Sequence, residues 1–271
     1  FAMGLNEFAG YIALAAIAFA TGWMAHEYGL RPYPFYLGIG LAVTGLVLSW
    51  FFVKDTQKHV LLESARSSVS KLQNVFWETT WKHKNLGSIT QAGLVNNLND
   101  GMVWGLFPLL LASKGFNLAD TGIIVATYPA VWGLGQLFTG SLADKFCKRN
   151  LLFLGMLLQG LALVAMIWAN SFSVFVILSS LLGIGTAVVY PTFLAAVSDY
   201  THPEQRPQSI GIFRLWRDLG YAFGAVLTGL IADQYGLVAP VLVIGILTIL
   251  SALLLQYRMS CLTNEPGRKS F

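Results

Sequence analysis

Charge is scarce in this chain. Asp, Glu, Lys and Arg make up 11% of its 271 residues, against about 25% in an ordinary soluble protein. A surface that faces water on every side cannot be built from so little, so a soluble globular fold is excluded. Disorder is excluded for the opposite reason, because 55% of the residues are hydrophobic. Cysteine is rarer still. Cys147 and Cys261 lie in short polar stretches, offer no disulfide framework and lack the CxxC spacing of a metal site. There is no glycine-rich phosphate loop, no metal constellation and no catalytic triad. His26, His59, His83 and His202 are scattered between apolar stretches or at their ends. The chain is therefore not expected to be an enzyme, to need a cofactor or metal, or to spend ATP. A net charge of +4 gives no footprint for nucleic acid. The start is not expected to be a secretory leader: Phe1-Ala2-Met3 runs straight into apolar sequence with no basic stretch before it. That start leads us to expect a sequence truncated at its beginning.

Long hydrophobic runs are what the chain has in abundance. A membrane-crossing helix needs about 20 mostly apolar residues. Eight stretches qualify, at 5–27, 33–53, 88–112, 119–141, 150–169, 172–197, 208–232 and 237–257. The 27 glycines and 13% aromatics suit such a bundle, where small residues let helices approach. Connections are short except for the polar linker 54–87. The side of the membrane that holds this linker also holds nearly all the Lys and Arg of the loops, while the other side holds only Arg31 and Lys114. The positive-inside rule makes the linker and both ends of the chain cytoplasmic. Within the linker, Val60, Leu61, Ala65, Val69, Leu72, Val75 and Phe76 recur at spacings of three and four, followed by Trp77 and Trp81. This predicts an amphipathic helix on the inner surface or a connector with a greasy face.

The first and seventh stretches end alike. Gly22-Trp23-Met24-Ala25-His26-Glu27-Tyr28-Gly29-Leu30 and Gly229-Leu230-Ile231-Ala232-Asp233-Gln234-Tyr235-Gly236-Leu237 agree at five of nine positions, at an offset of 207. Each leads through a proline-containing turn into another apolar run. Two related bundles are implied. Residues 1–53 are the last helix pair of the first, 54–87 the linker, 88–258 a complete second bundle of six, and 259–271 a cytoplasmic tail.

After the fourth stretch comes Gly140-Ser141-Leu142-Ala143-Asp144-Lys145-Phe146-Cys147-Lys148-Arg149. It resembles the loop signature of the major facilitator superfamily, with Cys147 where that family usually has glycine. The loop Asp199-Tyr200-Thr201-His202-Pro203-Glu204-Gln205-Arg206, leading into Arg214, Arg217, Asp218 and Tyr221, also resembles that family. The resemblance covers nearly the whole chain. It implies an all-α membrane protein with a bundle of the major facilitator type: the last two helices of the N-terminal half and the whole six-helix C-terminal half. It further implies a secondary active transporter of a small solute, working by alternating access as a monomer in the plasma (inner) membrane, with protons as the coupling ion and uptake or efflux left open. The alternative is a non-transporting receptor or scaffold with the same fold. The loop residues Gly140, Asp144, Lys145, Lys148 and Arg149 are then expected to brace the cytoplasmic gate near Gly4 to Glu7, or to serve only as a positive-inside anchor. Asp144 has Arg149 or a helix N-terminus as possible partners. With four helices absent, the isolated chain is not expected to transport.

Ionisable groups inside apolar helices are costly and mark function by default. The third stretch contains Asn96-Asn97-Leu98-Asn99-Asp100-Gly101. Asp100 falls about 12 residues in, near the midplane at about 1.5 Å per residue. It can exchange a proton, bind a cationic substrate, or tie two helices together. The weak helix formers there, with Pro108 following, predict a local break. Asn96, Asn97 and Asn99 are companions, and Tyr128, Trp132, Gln136, Tyr190 and Thr192 are further cavity candidates. Arg214 and Asp218 are four apart on one face of the seventh stretch, with Arg217 beside them. They fit either a cytoplasmic gate, together with Arg206, or attraction of an anion. Glu7 fits a gate residue or a helix cap.

Overall fold

The structure, a computed structural model, describes residues 2–29 and 31–261, with some side chains of the first helix and that of Leu118 outside the description. The order is α1 (Ala2–Tyr28), α2 (Tyr33–Phe52), α3 (Gln57–Arg66), and α4 (Val75–Trp77) running into a π-helical turn (Glu78–Lys82). Then come α5 (Lys84–Ser113), α6 (Leu118–Thr139), α7 (Leu142–Lys145), α8 (Lys148–Met166) and α9 (Phe172–Asp199). A 3-10 turn (Pro203–Gln205), α10 (Arg206–Tyr235) and α11 (Val238–Arg258) complete it. No strand occurs among the described residues. Each predicted stretch is a helix within a few residues of the bounds read from hydropathy. Among the described residues, α2, α8, α9 and α11 are each long and apolar enough to cross a membrane on their own. The other long helices, α1, α5, α6 and α10, have 27, 30, 22 and 30 residues. Their length suffices, and in α5 and α10 polar residues dilute the hydropathy.

Local chemistry sets the helix ends. Asn117 caps α6 by accepting the Asp120 N–H at 2.8 Å, and His83 Nδ1 accepts from Leu86 N–H at the start of α5. Gly29, Gly115 and Gly236 follow α1, α5 and α10 with φ of 87°, 87° and 81°, a backbone that L side chains rarely adopt. Gly29 and Gly236 are aligned positions of the internal repeat, so the shared glycine does the same work at both helix ends.

The helices α5, α6, α8, α9, α10 and α11 close into one bundle. α5 runs along α10, α6 along α9, α8 bridges α9 and α11, and α11 returns to α5. Small residues let these axes come close. A Cβ built at Gly101 would lie 2.6 Å from the Tyr221 carbonyl oxygen, and one at Gly224 would lie 2.5 Å from that of Leu98. α1 packs on α6 and touches α9, while α2 packs on α1 and buries none of its own residues.

Two expectations are overturned and one pair of alternatives is narrowed. The predicted break in the Asn-Asp-Gly stretch is absent: α5 is continuous through Asp100, Gly101 and Pro108. Packing of Gly101 against α10 and side-chain hydrogen bonds to Asp100 favour the helix over the local propensity. Of the two readings of the linker, the connector with a greasy face fits. It is helical over Gln57–Arg66, then extended, and Leu72 packs against the core instead of lying on a lipid surface. The cysteines are joined, with Cα atoms of Cys147 and Cys261 5.8 Å apart. Packing of α8 against α11 brings the start of one beside the end of the other, a proximity that a sequence separation of 114 conceals.

Candidate functional site

Asp100 sits on α5 about 24 Å from Lys84 and about 20 Å from Ser113 at the helical rise, fully buried. Two neighbouring helices supply its partners. The Tyr128 hydroxyl of α6 donates to Oδ1, and the Tyr221 hydroxyl of α10 donates to Oδ2 at 3.2 Å. Tyr128 Oη also lies 3.2 Å from Thr186 Oγ1 on α9. Four helices therefore meet at one carboxyl group. Tyr190 extends the network from α9: its hydroxyl donates to Asn97 Oδ1 at 3.2 Å and stands 3.4 Å from the Tyr221 hydroxyl. Asn96 Nδ2 donates to the same Asn97 oxygen at 3.2 Å. Each burial of this kind is tolerable only where hydrogen bonds replace lost water.

The aromatic rings form a wall beside this network. Tyr128, Trp132 and Gln136 recur at four-residue spacing, which puts them on one face of α6. The Trp132 ring is 4.7 Å from that of Tyr190 and 5.9 Å from that of Tyr128. Gln136 is fully buried, with neither amide atom hydrogen-bonded. Asn96 Oδ1 and Asn97 Nδ2 are likewise buried without partners. Arg217, one turn before Tyr221, lies over the Tyr190 ring at 5.4 Å.

Not every candidate joins this centre. Asn99 turns away and donates to Gln159 of α8 at 3.1 Å. Thr192 donates to the Val188 carbonyl of its own helix. Asp218 meets Arg217 at 2.8 Å, not Arg214 as the four-residue spacing suggested, and Arg214 is exposed. Neighbouring side chains on α10 close that pair without a turn between them. Gly140 lies against Gly4, where a Cβ on Gly4 would come 3.0 Å from the Gly140 Cα, so the end of α6 meets the start of α1. Asp144 and Lys145 are exposed on α7. Lys148 pairs with Asp199 at 2.7 Å, and Arg149 Nε donates to Asn150 at 3.2 Å. The Glu7 side chain lies outside the described residues. Arg206 pairs with Glu63 of α3 at 3.0 Å. It belongs to a clamp in which Lys71 pairs with Glu204, and Gln205 exchanges hydrogen bonds of 2.8 and 3.0 Å with the backbone of Leu72. The Lys71 partner holds the Glu204 carboxyl below its ordinary range.

Tyr221 and Thr186 escaped the sequence reading. Thr186 stands four residues before Tyr190, a hydroxyl at helical spacing in an apolar run, which was the available signal. Tyr221 lay in the stretch that carries the family resemblance, one turn after Arg217, and that place was its signal.

A bundle of long apolar helices around a buried polar centre defines an integral membrane protein. The profile of the Major Facilitator Superfamily matches residues 89–270, and the chain belongs to that superfamily. Among similar proteins are an "Uncharacterized transporter" of Buchnera aphidicola, 19% identical over 79% of this chain and 51% of its own length, and the "Fosmidomycin resistance protein" of Escherichia coli, 27% identical over 56% and 37%. The "Quinolone resistance protein NorA" of Staphylococcus aureus is 24% identical over 50% and 35%. The chain spans about half or less of the length of these curated relatives.

Proposed function

We propose that the protein moves a small solute by alternating access, driven by the proton gradient, with Asp100 as the coupling carboxyl group. The observation that carries this is the full burial of Asp100 with hydroxyl donors from α6 and α10 on its two oxygens. Any change in how those helices approach α5 makes or breaks these hydrogen bonds. The proton on Asp100 and the arrangement of the bundle are then linked, as transport coupling requires. Tyr128, Tyr190, Trp132 and Gln136 line the solute path with Asn96 and Asn97. Residues 1–53 act as the last helix pair of one half and 88–258 as the other half, with 54–87 as the cytoplasmic linker and 259–271 as a tail. The full-length protein works as a monomer in the plasma membrane with both ends of this chain in the cytoplasm. Gly140 against Gly4 supports the reading that the loop after α6 bears on α1 at the inner gate, with Arg214, Arg217 and Asp218 on the same side.

The test compares solute contents of cells producing the wild type and Asp100→Asn by mass spectrometry. A solute whose ratio across the membrane shifts only with the wild type, and whose shift a protonophore abolishes, is the expected result. Unchanged transport and unchanged pH dependence in Asp100→Asn overturn the coupling role.

A further inference from the structure

Resting on the transport reading, we propose that the polar centre takes a monovalent organic cation with an aromatic body, whose ammonium replaces the Tyr221 hydroxyl on Asp100. Among the described residues Asp100 is the one Asp, Glu, Lys or Arg side chain that is buried. Its partners are two hydroxyls, and none of the described ion pairs includes it. Arg217 is engaged by Asp218 and by the Tyr190 face, so its charge, shared with Asp218, offsets that of the Asp100 carboxylate only in part. In a low-dielectric interior a partly compensated carboxylate still favours a cation over an anion. A divalent metal is a poor fit, because it needs six or so oxygen ligands, and no group of three metal-binding side chains occurs among the described residues.

The walls select an organic cation. Trp132, Tyr128 and Tyr190 present aromatic surface within one ring of each other, and ring faces attract desolvated ammonium groups. The unpartnered amide atoms of Asn96, Asn97 and Gln136 add hydrogen-bonding capacity for polar substituents.

Tyr221 is the displaceable donor. Its contact with Asp100 is 3.2 Å, and the Tyr190 hydroxyl stands 3.4 Å away as a second partner. Release from Asp100 therefore leaves no orphaned hydroxyl. Tyr128, fully buried and held by Thr186 as well, keeps its place on Oδ1.

The experiment measures equilibrium binding of radiolabelled 2-phenylethylammonium to the purified protein in detergent. Neutral 3-phenyl-1-propanol and anionic 3-phenylpropanoate serve as competitors. Saturable binding is expected, displaced by unlabelled cation and by neither competitor. Asp100→Asn weakens it at least about tenfold, the loss of one charge-assisted contact. Tyr221→Phe tightens it about threefold by removing the competing donor, a gain that a merely structural tyrosine would not give. Binding equal to wild type in a folded Asp100→Asn, displacement by the anion, or no saturable binding overturns the proposal. Should Asp100→Asn fail to fold, Tyr221→Phe decides, and weaker cation binding overturns it. Liposomes separate the two readings. Cation binding without flux under an imposed pH gradient removes the transport reading and leaves the ligand class standing. Proton-driven flux of another solute, without cation binding, does the reverse.

Discussion

Gly101 and Gly105 occupy the same face of α5, one turn apart, yet they meet different surroundings. A Cβ at Gly101 would lie 2.6 Å from the Tyr221 carbonyl oxygen and 3.2 Å from the Ala225 nitrogen, whereas one at Gly105 meets nothing within 4 Å. Ordinary contact begins near 3.4 Å, so Gly101→Ala must push α10 away by about 0.8 Å, and backbone atoms cannot rotate aside. Overpacking of this kind costs about 1–3 kcal/mol. At Gly105 the same substitution only removes the conformational cost of glycine in a helix and stabilises by about 0.5–1 kcal/mol. The two variants should therefore differ by roughly 1.5–4 kcal/mol in unfolding free energy, measured by denaturant titration of the purified protein in mixed micelles. The displacement also lengthens the 3.2 Å contact between Tyr221 and Asp100, which sits beside the crossing, so Gly101→Ala should lose transport before it loses fold. Equal stability of the two variants would refute the close α5–α10 crossing, and with it the geometry that brings Tyr221 to the carboxyl group.

Other predictions follow from local contacts. Burial lowers the His83 pKa from 6.5, with Glu78 opposing the shift, and the neutral ring accepts the Leu86 N–H. The folded value lies below the unfolded one, so this cap is fully in place above the ordinary histidine value and is lost as pH falls through the lowered one. His83→Asn keeps an acceptor at the cap and should flatten the dependence of stability on pH below the ordinary histidine value; an unchanged slope contradicts the assignment. The clamp of Glu63 and Arg206 is partly exposed, so Glu63→Gln should cost less than about 1 kcal/mol, yet it should speed proteolysis between residues 54 and 74, with a difference from the wild type that shrinks in high salt. Tyr128→Phe removes a donor from a buried carboxyl group and should destabilise by about 1.5–3 kcal/mol at neutral pH, more than Tyr221→Phe, which loses a longer contact. Thermal unfolding of the two variants side by side checks this order.

Hydropathy located every long helix because lipid forces backbone polar groups to pair within the segment, leaving an apolar run of fixed minimum length. The same rule exposed Asp100, since a carboxyl group in such a run stands out against its neighbours. Rotation about each helix axis was less legible. Asn96 and Asn97 reach the centre while Asn99 points to α8, a difference of less than one turn that depends on packing. Tyr221 went unnoticed because a tyrosine in an apolar helix is ordinary until its hydroxyl is seen beside a carboxylate. The α5 break was expected from propensity, and tertiary contacts at Gly101 outweighed it. Contacts between segments far apart in the chain, such as Cys147 with Cys261 or the linker with the α9–α10 connection, leave no periodic trace.

The most direct measurement reconstitutes the full-length protein that carries this chain in liposomes, imposes a pH gradient without ATP, and follows the solute found by comparing wild-type and Asp100→Asn cells. Accumulation against its own gradient, abolished by a protonophore and absent with Asp100→Asn, is the predicted result. Solute that binds yet only equilibrates, or accumulation that persists in Asp100→Asn, would contradict an account that makes this buried carboxyl group the point where proton and cargo meet.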